Sequence, residues 1–187
     1  RDFWIFTGLL VDYMEAAFLY SFGNNWNSHL AHSSFMNIVA TMSLYFFLKE
    51  YNLKFFHIVF YCLSFATLCY PLSGTPFAYM HAYIFSLIAI FNILIAIKKK
   101  SKILWFLFPY VCLFAFISMQ TPTAYILIIL SILIIFHFLK DKEIENLKFF
   151  LFGSFSSVLL FFLFLIFTKT PIMNFIYQYI LFPLTIG

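Results

Sequence analysis

Two carboxylates and two imidazoles stand close together near the start of this chain: Asp12, Glu15, His29 and His32. The members of each pair are three residues apart, so each pair shares a face if its segment is helical. Carboxylates on one face can hold a divalent cation, or act as base and electrostatic partner. Joined by the two histidines, they have the donor set of a two-His, two-carboxylate metal site. The plainer alternative is that the carboxylates face water and the histidines make interfacial hydrogen bonds.

Further polar residues follow at wide intervals. His81 could bind a phosphate or orient a sugar hydroxyl, or sit as a hydrogen-bonded interfacial residue. Gln120 and Thr121 precede Pro122. A proline in the first turn of a helix goes with free backbone N–H groups, which suit an anion; a simple capping turn reads the same way. Asn174, Tyr177 and Gln178 recur at helical spacing, a stripe suited to stacking on a sugar or to an interfacial helix. Arg1 and Lys169 are the two cations outside the lysine clusters described below. Cys62, Cys69 and Cys112 show no ligand spacing and read as packing residues.

The elements that must position these groups belong to a membrane. Hydrophobic residues make up 64% of the 187 and charged residues 10%, where a soluble domain has about 25% charged. Mean hydropathy is +0.98. Thirty Phe and twelve Tyr suit a lipid-facing surface with interfacial rings. A hydrocarbon core of about 30 Å takes about 20 helical residues. Six apolar runs are candidates: 34–48, 55–72, 79–97, 103–119, 122–139 and 149–168. They lack the period-two alternation of a barrel. The expected fold is therefore an all-α polytopic transmembrane bundle of about six spans, covering 34–168. Interfacial amphipathic helices in 1–33 and an interfacial segment in 169–187 complete it. Within 1–33, Asp12 and Glu15 interrupt an otherwise apolar stretch, and each would cost about 2.5–3.5 kcal/mol at a bilayer centre. That stretch is expected to lie along the membrane surface.

Lysine sets the orientation. Of 11 Lys and Arg, nine fall in three loops: Lys49 and Lys54; Lys98, Lys99, Lys100 and Lys102; Lys140, Lys142 and Lys148. These loops alternate with nearly uncharged ones, and lysine is retained on the cytoplasmic side. Residues 1–33, 73–78, 120–121 and 169–187 are then extracytoplasmic, in a plasma membrane of the bacterial inner-membrane kind. The net charge of +4 points to anionic headgroups rather than nucleic acid, because the lysines lie in short loops and not on one basic face. His57 and His137, near the cytoplasmic ends, are expected to contact headgroups. The chain is expected to be a piece of a longer membrane protein.

Arg1-Asp2-Phe3-Trp4, Thr7-Gly8-Leu9-Leu10, Leu19-Tyr20-Ser21-Phe22-Gly23 and the apolar run from Phe35 together resemble a stretch of the GT-C superfamily. So does Ser118-Met119-Gln120-Thr121-Pro122. These polytopic glycosyltransferases, which include protein O-mannosyltransferases and lipid A aminoarabinose transferases, use polyprenyl-phosphate sugars. The resemblance covers about a third of the chain. It implies transfer of a sugar from such a donor to a glycan, lipid or protein acceptor at the extracytoplasmic face. An outer carboxylate, among Asp2, Asp12 and Glu15, would deprotonate or orient the acceptor hydroxyl. Arg1, His81, Lys169, the turn at Gln120–Thr121 or a divalent cation would meet the charge growing on the lipid phosphate. Asp2 matches a supporting aspartate of the family, whose principal acidic residue lies upstream of that element. Two other functions share the composition: a polymerase or ligase of the O-antigen type, and a non-enzymatic transporter or flippase.

Overall fold

The computed structural model describes residues 8–69 and 75–181. Arg1 and Asp2 lie outside that set, and so does the side chain of Gln178. The described residues are all-helical, with no strand among them. The helices are α1 (Leu9–Phe22), α2 (Trp26–Glu50), α3 (Phe55–Leu68), α4 (Ala78–Lys99), α5 (Lys102–Ser118), α6 (Gln120–Asp141), α7 (Ile144–Phe167) and α8 (Ile172–Ile176). A π-helical segment, Tyr177–Leu181, is the last of the described residues. Helix is the form that pairs backbone groups within one segment where no water is present to pair them.

Among the described residues three helices are long and apolar enough to cross a membrane: α4, α6 and α7. Of the six expected spans, these three meet both length and composition. α3 and α5 are apolar but have 14 and 17 residues. At 1.5 Å per residue they cover about 21 and 26 Å, short of a core of about 30 Å. α2 has 25 residues, but its first half carries Asn27, His29, His32, Ser33, Ser34 and Asn37. It also begins at Trp26, eight residues before the apolar run at 34, because Asn25 starts the helix. The Asn25 side chain accepts from the Ser28 backbone N–H at 3.3 Å, a standard N-cap.

α5 is the hub. It packs against α4, α7, α6 and α1, while α2 packs on α1, α3 and α4. Trp105 is fully buried in a core with Ile93, Phe108, Leu130 and Ile134. α5 also contains Pro109, which removes the donor the Trp105 carbonyl would accept. The α5–α7 contact depends on Gly153. A Cβ there would lie 2.2 Å from the Phe106 carbonyl oxygen. Small residues let membrane helices approach this closely.

The lysine-rich turns gather at one end. Lys99 pairs with Glu50 at 2.6 Å and Lys100 with Glu143 at 2.8 Å. Lys102 pairs with Glu145, and Lys98 donates to the Glu50 carbonyl. These bonds tie the ends of α2 and α4 to each other, the end of α4 to the start of α7, and the start of α5 to the start of α7. The Lys100 ammonium holds the Glu143 carboxyl below its ordinary range. His137, expected at the headgroups, is instead buried and stacked on Trp105 with ring centroids 5.5 Å apart. Its Nδ1 lies 2.9 Å from Asp141. The expectation failed because α6 turns that face of its last turns toward α5.

Candidate functional site

The opposite end of the bundle holds a cluster built from three helices. Glu15 comes from the middle of α1, His29 and His32 from the first two turns of α2, and His81 from the first turn of α4. Gly23 and Asn25 allow α1 and α2 to fold back on each other, and this turn faces the Glu15 side chain toward the two α2 histidines. α4 runs parallel to α2, since their ends meet at Glu50 and Lys99 and their starts meet at His32 and His81.

The contacts are short. His32 Nδ1 lies 2.5 Å from Glu15 Oε2 in hydrogen-bonding geometry. His29 Nδ1 lies 2.5 Å from Glu15 Oε1, without the alignment of a hydrogen bond. His32 Nε2 lies 3.0 Å from His81 Nε2. His81 Nδ1 lies 2.8 Å from the Phe77 carbonyl oxygen. His32 and His81 are each 0% exposed. The Phe18 ring stacks on His32 at 4.9 Å, and Trp26 lies against His29. Beneath them Met36, Ala40 and Ile84 form an apolar floor with Met14 and Cys69 packed on it. Only the His29 and Glu15 side chains reach toward solvent, at 31% and 17% exposure.

Among the described residues no group of three His, Cys, Asp or Glu side chains could hold a metal ion. Both nitrogens of His32 are engaged, one by the carboxylate and one by His81.

The other candidates lie elsewhere. Asp12 is half-buried in the first turn of α1, where the helix dipole favours a negative charge. Gln120 and Thr121 open α6, with Pro122 directly after them, so the expected free N–H groups belong to a true helix start. Thr123 is buried and donates to the Ala115 carbonyl at 3.1 Å, closing the turn between α5 and α6. Lys169 is exposed after α7, in a left-handed conformation with φ 53. Tyr177 is exposed, and the stripe it shares with Asn174 and Gln178 is distorted because the chain changes to π-helix at Tyr177. Gln120, Thr121, Lys169 and Tyr177 make no hydrogen bond or ion pair with the cluster among the described residues.

One structural residue of this region had no signal in the sequence. Tyr179 is buried, and its hydroxyl accepts from the Leu9 N–H at 2.6 Å and donates to the Ile117 carbonyl at 3.1 Å. It joins the last segment to the starts and ends of α1 and α5. Spacing singled out its neighbours Tyr177 and Gln178 instead, because a 3.6-residue period misplaces the face of a π-helix.

Compared with known protein families, curated proteins and solved structures, the chain matches none. The functional reading therefore rests on this geometry and on the sequence.

Proposed function

We propose that the chain belongs to a membrane glycosyltransferase. It moves a sugar from a polyprenyl-phosphate donor to an acceptor at the extracytoplasmic face of a plasma membrane of the bacterial inner-membrane kind. The observation that carries the reading is a partly exposed carboxylate backed by imidazoles, at the end of the bundle opposite the lysines. Glu15 orients and deprotonates the acceptor hydroxyl. His29 and His32 hold the carboxylate in place, and His81 acts through His32 as a positioning residue. The acceptor oxygen bonds to the anomeric carbon while the bond from that carbon to the lipid phosphate breaks. Lys169, Arg1 and the N-terminal amides of α6 are the groups suited to the departing phosphate. In this reading all six apolar helices from α2 to α7 cross the bilayer, with local thinning at α3 and α5. The lysine turns are cytoplasmic.

A second reading, a proton-coupled transporter or flippase, is favoured by one specific observation. Buried polar atoms on the packed pair α2 and α4 lack partners: Asn37 Oδ1, Thr41 Oγ1, Ser86 Oγ and Asn92 Oδ1. Such groups inside a membrane protein mark solute or proton paths.

The test uses the full-length protein in proteoliposomes, with radiolabelled short-chain polyprenyl-phosphate mannose and aminoarabinose as donors. Glu15→Gln is expected to lower transfer by about 10²-fold or more, the loss typical of a general base. Asp12→Asn and Asp2→Asn are run beside it. Full activity in all three variants would remove the catalytic assignment.

A further inference from the structure

The hydrogens in the cluster can be counted from its geometry. The Phe77 carbonyl only accepts, so His81 Nδ1 carries a hydrogen. One hydrogen must lie between His32 Nδ1 and Glu15 Oε2, 2.5 Å apart. One more must lie between the two Nε2 atoms, 3.0 Å apart, because two bare lone pairs at that distance repel. That makes three hydrogens on Glu15, His32 and His81. An ionised carboxylate with two neutral imidazoles has only two.

We propose that Glu15, His32 and His81 form a buried binding site for one proton, shared along the line from the α1 carboxyl to the α4 imidazole. With that proton the three side chains sum to zero net charge, which is the condition for burying them. With His81 neutral, two arrangements satisfy every contact. In one, the Glu15 carboxyl donates to His32 Nδ1, and His32 Nε2–H donates to His81. In the other, His32 is an imidazolium between the Glu15 carboxylate and His81. Passing between them moves a hydrogen by one hop and leaves the total charge unchanged. Burial disfavours separated charge and so favours the first. In the ionic form Glu15 remains a carboxylate able to take an acceptor's proton, and the proton site stands whether or not it does so.

The proton also holds three helices together. Raising the pH removes it, and His32 and His81 then meet lone pair to lone pair. The contact between α2 and α4 at this end weakens as pH rises, not as it falls. Other titratable groups on the elements packed around the site include Asp12, Tyr13 and Tyr20 on α1, His29 on α2, Tyr79 and Tyr83 on α4, Cys112 on α5, and Cys69 directly after α3. Of these, His29 touches Glu15. α5 contributes no carboxylate or histidine.

The experiment is NMR on full-length protein carrying 15N-histidine in lipid nanodiscs, without donor or acceptor. At neutral pH a through-hydrogen-bond 15N–15N coupling is expected between two Nε2 atoms. It is assigned by its loss in His81→Gln, and it should vanish in a single step as the pH is raised. In Glu15→Gln the neutral amide donates to His32 Nδ1 and has no proton to lose, so the coupling should persist as the pH is raised, without the wild-type step, while the backbone amide spectrum stays folded. Wild-type protein with no such coupling and two unprotonated Nε2 signals at neutral pH would overturn the proposal. So would a coupling that vanishes in the same pH step in Glu15→Gln. If His81→Gln does not fold, the wild-type coupling and its pH dependence decide alone. None of these readouts requires sugar transfer, so failure here and failure of the transferase reading are separate results.

Discussion

At the residue scale, the bundle end away from the lysines is held by few polar groups, each with a defined partner. Tyr179 shows the cost of losing one. Its hydroxyl is the acceptor for the Leu9 N–H and a donor to the Ile117 carbonyl. Tyr179→Phe keeps the ring, which packs with Leu9 and Leu165, and leaves both backbone groups without a partner. An orphaned buried donor costs about 1–3 kcal/mol, so the thermal midpoint in detergent should fall clearly. An unchanged midpoint would mean that water replaces the hydroxyl. The residues of the cluster were legible as types. Glu15, His29 and His32 stood out by spacing, and His81 by its place beside a neutral loop. Their pairing was not legible, because no one-dimensional spacing relates residue 32 to residue 81. His81 was read either as a contact for a ligand or as a hydrogen-bonded residue, and both of its ring nitrogens have protein partners.

At the element scale, α5 organises the fold although it is one of the shorter helices. Its contact with α7 is so close that only glycine fits at position 153, with a Cβ placed 2.2 Å from the Phe106 carbonyl oxygen. Gly8 meets the Ser118 carbonyl in the same way, which brings the start of α1 onto the end of α5. Gly153→Ala is expected to force α5 and α7 apart, at about 1–3 kcal/mol for overpacking. The measurement is a chemical or thermal unfolding midpoint in detergent. Equal stability of variant and parent would contradict so close a contact. Helix positions were readable from apolar runs, and the ends agree to within a few residues in most cases. The start of α2 was missed because hydropathy reports where a helix enters lipid. Asn25, through its cap, decides where the helix begins.

At the scale of the whole molecule, the lysine turns and the Glu–His cluster occupy opposite ends. Single cysteines in a cysteine-free background test whether a membrane lies between them. Positions 52, 100 and 142 should react only with reagent supplied from the cytoplasm. Positions 24, 121 and 169 should react only from outside. Labelling of positions 24 and 100 from the same compartment would overturn both the sidedness and the transferase reading. The lysines have a second role that charge counting did not reveal. Lys99, Lys100 and Lys102 pair with Glu50, Glu143 and Glu145, so part of the basic charge clamps helix ends and is not presented to headgroups.

Sequence alone determined the class and the element order, because a bilayer leaves the backbone little choice but helix. Tertiary structure decided which polar residues meet. The cluster exists because a turn at Gly23–Asn25 folds α1 onto α2, and because α2 and α4 run parallel so that residues 49 apart in sequence share one hydrogen. That is a property of packing, set by side-chain shape across helices, and no pattern along the chain encodes it.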